Sequence, residues 1–94
     1  MIADEFEFEG GTVEIHLEER VDERQNEAFV VLPRWKGGGL VNGFEYRVDK
    51  ITQIDANMAS TIDPIKALVK TCREDVLDRK WEQYEKALAV LKNQ

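Results

Sequence analysis

The sequence predicts an α+β fold, a four-stranded antiparallel meander-like sheet followed by a long C-terminal helix packed on one of its faces. Three observations lead there. Apolar and polar residues alternate strictly at Phe6–Phe8 and Val13–Leu17. From Asp63 to Lys92 the apolar residues take helical spacing, with no glycine and no proline after Pro64. Strand-like segments precede the helical one and do not alternate with it, the order of an α+β layer. The 94 residues are expected to form a single domain, with the sheet in 1–54 and a helical arm in 63–92.

The first strand is EFEFE, with Phe6 and Phe8 on one side and Glu5, Glu7 and Glu9 on the other. Gly10-Gly11 tolerates the positive φ angles of a primed hairpin turn. The second strand then turns Val13, Ile15 and Leu17 inward and Glu14, His16 and Glu18 outward. Residues 19–27 lack apolar periodicity beyond Val21 and read as a turn or a frayed extension. Ala28–Leu32 is a compact third strand ended by Pro33. Gly37-Gly38-Gly39 and Asn42-Gly43 predict a mobile loop or a wide hairpin over residues 36–43. Phe44–Ile54 is the fourth strand, with a bulge near residues 50–52 where the apolar parity shifts to Ile51. Residues 55–61 link the sheet to the arm, where Asp63 caps a helix opened by Pro64.

At 100° per residue the arm shows two apolar stripes. Ile65, Leu68, Val69, Cys72 and Val76 form one, which suits the sheet; Leu77, Trp81, Tyr84, Leu88 and Leu91 form the other, turned by roughly 120°. Either the helix breaks near residues 74–78, or it runs on and offers the second stripe to something else. No glycine or proline licenses a kink, so the continuous form is favoured, although it would span roughly 43 Å.

Composition sets the functional bounds. With 43% apolar and 34% charged residues the chain belongs with folded proteins, not disordered ones. No apolar run approaches the ~20 residues of a membrane span and no basic leader opens the chain, so a cytoplasmic location is expected. The net charge of −6 is concentrated: residues 1–27 hold ten acids against two bases, while 51–94 hold seven of each. That distribution disfavours duplex binding, which needs a phosphate-neutralising surface. The single cysteine, Cys72, excludes an internal disulfide and a multi-cysteine zinc site, and its apolar neighbours mark it as a core residue.

No catalytic set is present. His16 is the only histidine, on the acidic side of a strand, and neither a nucleophile elbow, a phosphate loop nor a calcium loop occurs. No cofactor and no metal site is expected. Two contact surfaces remain. The stripe Leu77, Trp81, Tyr84, Leu88 and Leu91 has the spacing of a helix-pairing seam, pointing to self-association or binding of another protein. Arg34-Trp35-Lys36 ahead of the glycines suits stacking on a base or anchoring in a partner's pocket. The expected function is thus a small acidic non-enzymatic oligomerisation module acting through the C-terminal stripe. The alternatives are a weak single-stranded nucleic-acid binder using the Arg34–Lys36 loop, or an acidic nucleic-acid mimic that blocks a basic protein.

Overall fold

A computed structural model of the chain describes residues 1–41, 45–59 and 62–93. Strands β1 (Ile2–Phe8), β2 (Gly11–Val21), β3 (Glu27–Trp35) and β4 (Tyr46–Asp49) form one antiparallel sheet in chain order. Helices α1 (Lys50–Met58), α2 (Pro64–Leu77) and α3 (Lys80–Lys92) follow. The α+β meander is the one that the alternation predicts.

The first hairpin turns one residue earlier than Gly10-Gly11. Glu9 (φ 50°) and Gly10 (φ 78°) are its two central residues, and Gly11 pairs with Phe8 as the first residue of β2. Gly11 is required for a different reason: a Cβ there would lie 2.8 Å from the Trp35 ring. β2 continues to Val21, and the tight bend after it hangs on Asp22, whose side chain accepts the N–H groups of Arg24 (2.8 Å) and Asn26 (2.9 Å).

β3 does not stop at Pro33 but passes through it to Trp35. The Pro33 carbonyl accepts the N–H of Val41 (3.0 Å), and in a strand a residue's N and O point to the same side. The missing N–H therefore faces Val41 and costs the β2–β3 ladder nothing. The glycine loop folds back on the strand end: Gly38 N–H donates to the Trp35 carbonyl, Trp35 N–H donates to that of Gly39, and Leu40 bridges Arg34. Gly37 takes φ 73° in this turn. The Asn42-Gly43 turn and the predicted strand start at Phe44 lie outside the described residues.

The expected strand over Phe44–Ile54 is corrected. Among its described residues Tyr46–Asp49 is strand and Lys50–Met58 is helix, taking in most of the predicted linker; Ser60 and Thr61 are not described. The parity shift at Ile51 is not a bulge. Ile51, Ile54 and Met58 recur at i, i+3 and i+7, a helical period. What holds α1 in place is a polar residue. Gln53 is 6% exposed; its amide N–H groups reach Asp63 (2.7 Å) and Asn57 (3.2 Å), and its carbonyl shares the Ile65 N–H with the Asp63 cap.

α2 lays its predicted stripe on the sheet. Phe6, Phe8, Val13, Ile15, Val31, Val41, Cys72 and Val76 form the buried cluster, with Leu17, Tyr46, Leu68 and Val69 packed against it. Tyr46 donates its hydroxyl to Asp75 at the margin of this core. Burial raises the Tyr46 phenol above its usual range, and burial pushes the Cys72 thiol up to about 12 from 9.0. Both groups thus keep their protons in the folded chain at pH values where the unfolded chain releases them. Stability is fully present below pH 9 and falls as pH rises from 9 towards 12, by up to about 1.4 kcal/mol per pH unit for one proton. Urea midpoints measured from pH 8 upward should fall across this window, and Cys72→Val should flatten the slope. An unchanged slope in that variant would show that the thiol keeps its ordinary value.

The favoured continuous arm is also corrected. α2 ends at Leu77, Asp78 and Arg79 donate their N–H groups to the carbonyls of Glu74 and Val76, and Arg79 turns left-handed (φ 52°, ψ 47°) before α3 begins. A left-handed arginine costs about 1–2 kcal/mol. Tertiary contacts offset it: the Arg79 guanidinium lies 5.5 Å above the Phe8 ring and pairs with Glu9, and Trp81 meets the edge of Phe8. The break is made by packing, not by a local breaker.

Candidate interaction surfaces

The two aromatic leads in the sequence converge on one residue. Phe8, at the end of β1, stacks with Trp35 (centroids 6.0 Å apart, planes at 26°) and meets Trp81 edge-on (6.0 Å, 86°). Trp35 is therefore half-buried against the chain's own hairpin. The cations flanking it are engaged as well. Arg34 lies 3.7 Å from Glu18 and Lys36 lies 3.7 Å from Glu5, and the Lys36 N–H donates to the Thr12 carbonyl.

The C-terminal stripe has a different fate. Trp81 alone reaches the core; Leu77 stays exposed at the end of α2, on the far side of the break from the rest. Beyond Trp81 the helix leaves the body. Tyr84 is 60% and Leu91 65% exposed and Leu88 is only half-covered; among the described elements α3 packs against α2, beyond the contacts at Phe8. The radius of gyration is 15.1 Å, against roughly 12 Å for a compact chain of this length.

The sheet face away from the helices carries an interleaved charge lattice. His16 contacts Glu14 at 3.3 Å, Arg20 joins Glu18 to Glu45, and Arg47 sits 3.6 Å from Asp22. The hydrogen bond from Arg20, then the nearby Arg34, holds the Glu18 carboxyl below its usual range. Across the strands these groups flank Val30 and Leu32, both buried, so the polar side chains roof a second apolar strip. Acids and bases alternate here, and the face is not an unbroken acidic surface.

Among the described residues no group of three or more His, Cys, Asp or Glu side chains is placed to hold a metal ion, and no helix is long and apolar enough to cross a membrane. A third apolar surface escaped the sequence reading. Ile51, Ile54 and Met58 line the outer side of α1. Their spacing was visible, but β-branched isoleucines after a strand read as more strand. Comparison with protein-family models, with curated proteins and with solved structures gives no match.

Proposed function

We propose that the chain is a small non-enzymatic interaction module that associates with a second copy of itself through α3. One observation carries this reading: Trp81 anchors the first turn of α3 to the core cluster, while Tyr84 and Leu91 on the same side stay exposed and Leu88 between them is half-covered. An isolated helix of about 12–15 residues is marginal in water, so the outer turns of α3 need a surface to lie on. Pairing two such helices covers large side chains worth about 1.5–3 kcal/mol each when fully buried, against association costs of about 4–15 kcal/mol.

The β1 edge is a poorer interface. In an antiparallel pairing of two β1 strands that keeps their faces aligned and is centred on Glu5 or beyond, glutamates from Glu5–Glu9 oppose glutamates. The single-stranded nucleic-acid reading of Arg34, Trp35 and Lys36 draws less support, since the ring stacks on Phe8 and each cation already has an acid beside it. The acidic-mimic reading is weakened by the arginines set among the outward acids.

Light scattering or sedimentation equilibrium across a micromolar concentration series tests the proposal. The expected mass is that of two chains or a larger closed assembly, dissociating on dilution. The mass of one chain at every concentration overturns it.

A further inference from the structure

Helix α1 is inside out. Its one buried residue is Gln53, while Ile51 (74% exposed), Ile54 and Met58 (81%) form an apolar ridge in water. At 100° per residue these three fall within roughly 60° of one another, turned by roughly 130° from Gln53. The polar bonds of Gln53 fix this orientation, because its amide joins α1 to the capped start of α2. The helix therefore cannot roll to bury its isoleucines without giving up those bonds. Such a ridge disfavours the free state and gains only by being covered.

Beside the ridge, an open groove of about 790 Å³ runs between the bend after β2 and the start of α1, with Ile51 and Ile54 among its lining. Its two cations are each spanned by two acids. Arg47 lies 3.6 Å from Asp22 and 3.7 Å from Asp49, and Lys50 lies 3.4 Å from both Glu19 and Glu27. Three lining carboxylates, Asp22, Glu27 and Asp49, with Glu19 close by, outnumber the two cations and leave a surplus of negative charge beside the two exposed isoleucines. Asp22 stays ionised, since the backbone N–H of Asn26 holds its carboxyl below the usual range. An anionic partner would meet like charge here, and a second copy of this acidic chain would bring more of it.

We infer that the α1 ridge and its groove form a docking site, separate from α3, for a basic amphipathic helix of another protein. Apolar residues at i, i+3 and i+7 on the incoming helix would pack along Ile51, Ile54 and Met58. Its lysines or arginines would reach Asp22, Glu27 and Asp49, competing with Arg47 for Asp22 and Asp49 and with Lys50 for Glu27.

The probe is a synthetic helix with leucines at i, i+3, i+4 and i+7 and lysines elsewhere, titrated into the full chain and followed by amide resonances. The expected result is saturable binding that weakens with added salt, with shifts centred on residues 50–58 and on Asn26 and Glu27. The same peptide with glutamates for lysines should not bind. Ile51→Lys with Met58→Lys should weaken binding by about tenfold or more, and the milder pair Ile51→Ser with Met58→Ser in the same direction by less. Both pairs lie on exposed positions and leave Gln53 in place, so folding is checked simply by circular dichroism. Absence of binding, shifts centred on α3 or on the outer sheet face, or equal affinity of the lysine pair would overturn the site. Loss of self-association in that pair would overturn it too, by making a second copy the occupant.

Discussion

Tyr84→Lys combined with Leu91→Lys is expected to raise the dissociation constant of the proposed α3-mediated assembly by about a hundredfold or more. Each copy loses two large apolar contacts and gains two buried or repelling cations at the interface. The fold of a single chain should be indifferent, because Tyr84 and Leu91 are 60% and 65% exposed and touch no part of the core cluster. Lysine also suits the last turn of a helix, where the dipole favours positive charge. Sedimentation equilibrium should show monomer at concentrations where the parent chain is assembled, with matching urea midpoints at high dilution. Assembly that survives both substitutions would place the interface off α3.

Trp81→Ala should produce the larger loss of folding stability, about 2–3 kcal/mol, or on the order of 10 °C in melting temperature. Trp81 is the one residue of the second stripe packed against the core, so its removal strips the edge contact from Phe8 and leaves α3 unanchored. Only Glu9, Glu82 and the Phe8 face would then oppose the return of Arg79 to a right-handed helical conformation. With no breaker between Cys72 and Gln83, α2 and α3 are expected to merge, and far-ultraviolet circular dichroism should show more helix despite the lower stability. Leu88→Ala is the control, changing monomer stability by less than about 0.5 kcal/mol. A loss below that figure for Trp81→Ala would mean that the kink is held by Arg79 alone.

The two variants separate the roles that the sequence merges. Leu77, Trp81, Tyr84, Leu88 and Leu91 follow one spacing and look equivalent in one dimension. In the fold, Trp81 fastens the helix to the hairpin tip, Leu77 ends the preceding helix, and the remaining three project. A periodic pattern records which residues share a face; it does not record which other surface reaches that face.

What the sequence determined by itself was whatever depends on neighbours along the chain. Alternation at Phe6–Phe8 and Val13–Leu17 set the strands and their buried face. Asp63-Pro64 set the start of α2, and the spacing from Ile65 to Val76 set the stripe that meets the sheet, with Cys72 inside it. Three features were decided only by tertiary structure. The chain bends at Asp78–Arg79 because Phe8 and Glu9, some seventy residues earlier, offer a ring and a charge that outweigh one strained residue. Trp35 leaves solvent because Gly11 leaves room for its ring beside Phe8. Residues 50–58 become a helix with its polar side inward because Gln53 finds Asp63 and the Ile65 amide across a gap of ten to twelve residues. In each case the deciding contact joins residues far apart in sequence, and its free energy exceeds the local preference that it overrides.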